Sequence, residues 1–507
     1  MKVLIVASEC SPFIKVGGIA DVIGSLPIAL NSLGVDARIV IPFYKPLFNE
    51  FKNQRLQSKD RSQLFSRENK KIAININKII DITIQFDNKK NPVSVYETKI
   101  PGTKTAVYLI YNHEYLANGG IYFSPQNAKS PKNELNRFAF FSKSIIDIFA
   151  YQNEIFQTDI IHCNDWHTGM IPQLIQNMKT YSRQKNIPKT IFTIHNLAYQ
   201  GLGDTDVADK LGLNIQKDQT LKWDSQDDNI DFILQGIVGA DYITTVSPKY
   251  AEEIMTPDYG EGLNEILKAR EGRLAGILNG ISYEVFNPLK DPYISANYTD
   301  ASFKEGKKAN KISLQKELGI EITEDKPLAG IISRLANQKG LDIIALSVNE
   351  IMDLGYQLVI LGTGDPLLES KLKEYNNEER YKGSYRAEIS FSEPLARKIY
   401  SGSDMFLIPS RYEPCGLTQM ISMKYGSVPV VRATGGLYDT VKNLQTGFTF
   451  DTLDKKNMLN ALHLAIATYS ETAGKWDKIV KNCMTENFSW DESAKQYVLL
   501  YQRVLSF

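Results

Sequence analysis

Residues 409–441, PSRYEPCGLTQMISMKYGSVPVVRATGGLYDTV, follow the short apolar run 405–408 and set Arg411, Glu413, Thr418, Gln419 and Arg432 among glycines and prolines. Apolar strands that end abruptly in polar, Gly-rich turns place those groups in the crevice where open α/β sheets bind ligands. The stretch is therefore a candidate site wall. Arg334 and Lys339, in SRLANQKG after the apolar run 327–332, have the spacing at which two cations can close on a diphosphate, although paired surface cations would look the same. Near the start, KVGGIADV offers Lys15 as a point charge and Gly17 and Gly18 as a close backbone approach to a ligand. The helix after them opens with free N–H groups that suit an anion. An ordinary turn is the plainer reading of the glycine pair, and Lys15 beside it shifts the balance toward phosphate. His167 in NDWHTGM and His195-Asn196 in HNLAYQG stand at the ends of two successive apolar runs. Imidazoles and amides there can bind hydroxyls or carry protons; a structural imidazole bonded to a carbonyl is the alternative. Neither has the further Cys, Asp or Glu spacing of a metal site, so no metal is expected.

The elements that must carry these groups read as α/β. A strand over 3–7, a helix over 19–33 interrupted by Pro27 and a strand over 37–41 come first. Residues 49–105 alternate short β-rich runs with Lys and Asn clusters, the pattern of inserted or flanking hairpins. From Glu134 the pattern turns helical, with Phe138, Phe140 and Phe141 as packing residues. Strands over 159–163, 190–194 and 242–246 follow, so His167, His195 and Lys15 should share one carboxyl edge. After a Glu/Gly-rich stretch at 258–273 that reads as a mobile loop, a second α/β unit begins. Its strands cover 327–332 and 357–361, with a helix over about 339–354 between them and GTGDP after the second strand. The first domain lacks GxGxxG and the chain lacks GxxxxGK[ST], which disfavours a dinucleotide dehydrogenase and a P-loop ATPase. A tail helix over 491–505 carries Ala494, Tyr497, Val498, Tyr501 and Leu505 at helical spacing and should tie back across the junction. The domains expected are 1–248, 249–489 and a returning helix at 490–507.

Composition frames this. The 507 residues are 43% apolar, with 58 basic and 58 acidic side chains, enough for two or three domains and with no net charge to favour nucleic acid or an anionic membrane. Four cysteines without zinc spacing suggest a reducing compartment. With neither a signal-peptide core nor an apolar run of about 20 residues, the cytoplasm is the expected location.

With these motifs in view, the chain resembles the bacterial glycogen synthases and plant starch synthases. KVGGIADV, NDWHTG, HNLAYQG, TTVSP, ILNGI, ISRLANQKG, LGTGD, PSRYEPCGLTQM, TGGLYDT and FSWDESAKQY occur in the family's order over almost the whole length. The resemblance implies two Rossmann-like domains facing across a deep cleft, the glycosyltransferase B fold. It implies retaining transfer of glucose from ADP-glucose to an α-1,4-glucan without a cofactor, the first domain on the acceptor side and the second on the donor side. By the same resemblance Lys15, Gly17 and Gly18 line the diphosphate, and Arg334 and Lys339 neutralise it as it leaves. Glu413 faces the glucosyl ring; backbone groups at Cys415, Gly416 and Leu417, with Thr418 beside them, hold its hydroxyls. His167 lies against the reacting sugar, Asn196 shares that wall, Phe391 stacks on the base, and Asn133 and Tyr199 belong to the acceptor side. Closure of the two domains on donor and glucan would exclude water from the reacting centre.

Several positions depart from the family pattern. Ile421 stands where some members carry a second acid eight residues beyond Glu413, which excludes double displacement through that residue. Asn133-Glu134 replaces the usual Asp-Asn, Leu234 a usual lysine, Ser282 a usual Asp, and Phe391 a usual Tyr. Two other readings compete: a glucan phosphorylase, which would need a pyridoxal cofactor on a lysine, and a catalytically impaired glucan-binding homologue, raised by Asn133 and Leu234.

Overall fold

The computed structural model describes residues 1–57, 63–67, 70–118, 120–122, 131–152, 154–471 and 473–507. The chain divides into two compact units, one formed by Met1–Val246, Ala251–Ile277 and Trp490–Phe507, the other by Ser247–Tyr250 and Leu278–Ser489.

In the first unit the short aliphatic runs become strands buried in mid-sheet, as parallel strands covered on both faces must be. The strands of this unit's main sheet are β1 (Lys2–Val6), β2 (Asp36–Pro42), β5 (Asn77–Phe86), β6 (Lys89–Lys99), β7 (Ala106–Tyr111), β8 (Ile160–Asn164), β9 (Lys189–Ile194), β12 (Tyr242–Thr245) and β13 (Leu274–Gly276). They form one nine-stranded sheet in the order β13-β12-β9-β8-β1-β2-β7-β6-β5. Ile5 sits beside Ile39 on one side and His162 on the other, and every pairing from β13 to β7 is parallel. The direction of winding reverses between β1 and β8, the switch point at which such sheets open a crevice. The β-rich stretch after residue 49 adds the antiparallel pair β5-β6 to the sheet edge, together with a separate hairpin of β3 (Gln63–Arg67) and β4 (Lys70–Ile74). A second small hairpin pairs β10 (Leu202–Asp204) with β11 (Asn229–Asp231).

Several expectations for this unit need correction. The helix Ile19–Ser32 is continuous across Pro27; Pro27 is buried, and core packing offsets the missing N–H. The stretch read as a mobile loop contains the helix Asn264–Ala269 and a 3₁₀ turn at Glu271–Arg273. It leads into β13, whose parallel pairing with β12 keeps residues 251–277 in the first unit, past the boundary expected at 248. The helix that begins before Glu134, Pro131–Ile145, gives way to a π-helical segment, Ile146–Gln152. The tail helix, Trp490–Leu505, buries Trp490, Ala494, Tyr497, Leu500, Tyr501 and Val504 in the first unit's core, whereas Leu505 is exposed.

That helix is keyed to the sheet by a buried imidazole. His162 Nδ1 lies 2.8 Å from the Tyr501 hydroxyl and Nε2 2.6 Å from the Thr193 hydroxyl, which is 2.5 Å from that of Thr244. Burial first, and His195 second, push His162 down to about 3. An unfolded histidine titrates near 6.5, so between these values the unfolded chain binds one more proton than the native one. The stabilising contribution is complete above pH ~6.5 and is lost on acidification toward ~3, at about 1.4 kcal/mol per pH unit. His162→Gln should therefore close its stability gap to wild type as pH falls from 7 to 4.5. Urea unfolding at several pH values measures this; parallel profiles would refute it.

The second unit is a six-stranded all-parallel sheet. Its strands are β14 (Leu328–Ile332), β15 (Gln357–Leu361), β16 (Tyr385–Glu388), β17 (Met405–Ile408), β18 (Val428–Arg432) and β19 (Phe448–Phe450). The order is β16-β15-β14-β17-β18-β19, the 3-2-1-4-5-6 winding of a Rossmann sheet, with its switch point between β14 and β17. The helix expected over 339–354 is a 3₁₀ turn at Asn337–Lys339 followed by two short helices, Leu341–Ala345 and Val348–Asp353. Gly340, at φ 69°, separates the turn from the first helix. Lys339 therefore precedes the helix and is not in its first turn.

Candidate active site

At the second unit's switch point, the loops after β14 and β17 meet backbone to backbone. Gly340 lies so close to Pro409 that an added Cβ would fall 1.9 Å from the Pro409 carbonyl oxygen. This contact brings Lys339 beside Glu413, 74 residues away in sequence: the ammonium donates to both carboxylate oxygens, at 2.8 and 2.6 Å. The Ser410 hydroxyl adds a bond of 2.9 Å to the same carboxylate. Glu413 is buried, and burying a carboxylate is costly unless it is paired and hydrogen-bonded in this way. Arg334 is exposed at the rim, where Nη2 donates to Gln338 Oε1 at 3.3 Å. Beyond Glu413, the segment through Cys415, Gly416 and Leu417 enters the short helix Thr418–Lys424. Gln419 Nε2 pins it by donating to the Cys415 and Gly416 carbonyls at 3.0 and 2.9 Å. Burial pushes the Cys415 thiol up to about 12, which removes it as a nucleophile and leaves its backbone as the useful part. Phe391 follows β16 and is 87% exposed.

At the first unit's switch point, the loop after β1 is folded around an acid. Glu9, buried, accepts from the backbone N–H groups of Val16 at 2.5 Å and Gly17 at 2.9 Å, and from the Tyr122 hydroxyl at 2.6 Å. The Gly17 N–H thus serves the protein's own carboxylate. Lys15 is paired with Asp21 at 2.8 Å. After β8, Asp165 adopts φ 58° and accepts from the His195 N–H at 2.7 Å; burial pushes its carboxyl up to about 7, partly opposed by the N–H groups of His195 and Asn196. His167 is buried, stacked 4.1 Å from Trp166 and edge-on to Phe138 at 4.6 Å. Burial first, then His195, push it down to about 3, so at neutral pH it offers a hydrogen bond and no charge. Its Nδ1 has no hydrogen-bond partner among the described residues.

The comparisons with known proteins follow the same two units. A model described as the starch synthase catalytic domain matches residues 2–269, and one described as glycosyl transferases group 1 matches residues 316–482. The glycogen synthase of Pseudothermotoga lettingae is 40% identical over 516 residues, covering all of this chain and 99% of that protein. The chain belongs to the glycogen and starch synthase family. The glycogen synthase of Geotalea daltonii is likewise 40% identical over the full length of this chain. Among solved structures, the catalytic domain of starch synthase IV from Arabidopsis thaliana, bound to ADP and acarbose, superposes with a TM-score of 0.84. It is 31% identical and covers 100% of this chain and 99% of that one. Sucrose-phosphate synthase from Thermosynechococcus elongatus, 18% identical with a TM-score of 0.58, shares the fold alone. The fold is thus the two-domain glycosyltransferase B architecture.

Within this family member, one contact was not foreseen: Lys339, expected on phosphate, and Glu413, expected on sugar, bind each other. Asn196, expected on the same wall as His167, accepts from the Ala198 N–H at 3.1 Å through its Oδ1, in its own turn. Tyr199 is 54% exposed nearby. Asn133 lies in the helix Pro131–Ile145, with its side chain outside the described residues. Ile421 is buried in the helix that begins at Thr418. Glu9, Tyr122, Asp165 and Ser410 escaped the sequence reading. A signal existed for two of them: an acid eight residues before the glycine pair, and an Asp able to take positive φ where a strand ends. Among the described residues no helix is long and apolar enough to cross a membrane.

Proposed function

We propose that the chain transfers a glucosyl group from ADP-glucose to the non-reducing 4-hydroxyl end of an α-1,4-glucan such as glycogen or a maltooligosaccharide, with retention of configuration and release of ADP. The observation that carries this reading is the partly buried Lys339–Glu413 pair at the sheet's switch point, in a chain of this family. The bond from C1 to the diphosphate breaks, the bond from C1 to the acceptor oxygen forms, and the acceptor's proton ends on the departing phosphate. An oxocarbenium-like C1 wants negative potential, and the departing diphosphate wants positive charge. Glu413 supplies the first; Lys339 and Arg334 supply the second. Backbone groups from Cys415 to Leu417, with Thr418, hold the sugar hydroxyls. Lys15 and Gly18 add contacts to the diphosphate; neutral His167 and Asn196 add hydrogen bonds to the sugar; Asn133 and Tyr199 lie on the acceptor side. The second unit takes the donor and the first the acceptor, and the reaction proceeds without a cofactor, in the cytoplasm.

Radiolabelled ADP-glucose and UDP-glucose, each offered with a glycogen primer, test the reading. Polymer labelled from ADP-glucose is expected, and labelling from UDP-glucose alone would sink the donor assignment. Glucan binding with no nucleotide released would favour an impaired homologue, and phosphorolysis with a visible cofactor band would favour a phosphorylase. For Phe391, a ring left 87% exposed has a face free for a base. Phe391→Ala should raise the Kd for ADP about tenfold, since stacking on a base is worth ~1–3 kcal/mol. Titration calorimetry reads this directly, and an unchanged Kd would remove the ring from the base site.

A further inference from the structure

Between the two loops that carry Lys339 and Glu413 lies an ion pair whose geometry is better than its exposure would require. Arg411 Nη1 and Nη2 donate to Asp342 Oδ1 and Oδ2, each at 2.6 Å, in a fork-to-carboxylate arrangement. The same Nη1 donates to the Asn337 carbonyl at 2.6 Å, and the Arg411 backbone N–H donates to the Gln338 carbonyl at 2.8 Å. Gln338 Nε2 returns a bond of 3.4 Å to the Tyr412 carbonyl, and Arg432 Nη1 caps the Arg411 carbonyl. Every one of the bonds from Arg411 to 337, 338 and 342 crosses from the loop after β17 to the loop after β14 or to the first turn of the helix that follows it.

Their position along the chain matters. Asn337, Gln338 and Asp342 bracket Lys339, and Arg411 stands two residues before Glu413. The bonds therefore clamp both backbones immediately beside the pair that the proposed transfer uses. The side chains of Arg411 and Asp342 are 34% and 35% exposed, so the pair contributes little to stability. Positional error is a different matter: a misplacement of about 1 Å can cost a reaction ~10²-fold.

We propose that Arg411, through its forked bond to Asp342, is a positioning residue that sets the loop after β14 against the loop after β17, so that the Lys339 ammonium meets the Glu413 carboxylate. The inference rests on the glucosyl-transfer reading for its kinetic consequence, and on geometry alone for its structural one. Lysine cannot reproduce the planar fork. Asparagine at 342 keeps the shape while losing the charge.

The test compares Arg411→Ala, Arg411→Lys and Asp342→Asn with wild type in steady-state transfer from ADP-glucose to glycogen, alongside thermal unfolding. Arg411→Ala should lose 30- to 100-fold in kcat, Asp342→Asn about tenfold, and Arg411→Lys an intermediate amount. The KM for ADP-glucose should stay within threefold and Tm within a few degrees. Arg411→Ala combined with Asp342→Asn should be no slower than Arg411→Ala alone. A kcat within twofold of wild type, additive losses in the double variant, or failure of Arg411→Ala to fold would each overturn the proposal. If wild type itself transfers no glucose, the functional reading fails separately, and a crystal structure of Arg411→Ala still decides the positioning claim. Lys339 Nζ moved beyond 4 Å from the Glu413 carboxylate supports it, and an unmoved pair overturns it.

Discussion

Lys339→Ala should cut kcat/KM for ADP-glucose by on the order of 10²-fold or more, because a charge-assisted contact to a leaving phosphate strengthens as charge develops there. This ammonium also pairs with Glu413, at 2.6 Å, in a site where the carboxylate is nearly enclosed. Among the described residues, its removal would leave Glu413 with the Ser410 hydroxyl as its one side-chain partner. The alanine variant therefore loses the phosphate contact and the orientation of the acid together. Glu413→Gln separates the two: it removes the negative potential near C1, so turnover should fall while ADP affinity stays nearly unchanged. In the double variant the losses should add to less than their sum, because both act through one contact. Arg334→Ala, at the exposed rim, should also cost on the order of 10²-fold in kcat/KM with little change in stability. Steady-state kinetics with ADP titration measures all four proteins, and values within threefold of wild type would take the altered residue out of the site.

The sequence made the strands and the loops after them legible because both obey local rules. The run 405–408 is β17 and 357–361 is β15, since short β-branched and aliphatic runs bounded by turns have few alternatives. What the sequence could not display is contact between distant loops. Lys339 and Glu413 are assigned to opposite ends of a substrate when read as motifs; the sheet order places β14 beside β17 and makes them partners. Glu9 was missed for a related reason: its two N–H donors lie only seven and eight residues away, but the turn that folds back on it follows no helical or strand period. The broken helix after Lys339 and the intact one through Pro27 are opposite errors with one cause. In both, tertiary packing overrode the local signal, through the approach of Gly340 to Pro409 in one case and the burial of the helix Ile19–Ser32 in the other.

That approach leads to the second large effect. Gly340 sits at φ 69°, where an L side chain is strained, and a Cβ there would lie 1.9 Å from the Pro409 oxygen. Gly436 is as tight without the unusual φ: a Cβ would lie 1.9 Å from the Cys415 oxygen. Both glycines let backbone reach the segment that carries Glu413 and the groups expected on the sugar. Neither clash can be relieved by rotating a side chain, so the loop itself must move. Gly319 supplies the control, since it has φ 66° but nothing within 4 Å of an added Cβ. Gly319→Ala should cost only the conformational penalty, about 1 kcal/mol, and leave kcat/KM unchanged. Gly340→Ala carries that penalty plus overpacking of ~1–3 kcal/mol or more. It should also lose at least ~10²-fold in kcat/KM, because the displaced loop takes Glu413 out of reach of Lys339. Gly436→Ala should lose comparable activity with a smaller drop in stability, since it lacks the strained φ. Chemical unfolding and transfer kinetics on the three variants distinguish strain from contact. If Gly340→Ala behaved like Gly319→Ala in both measurements, the close packing of the two loops would not be what holds the reacting pair together.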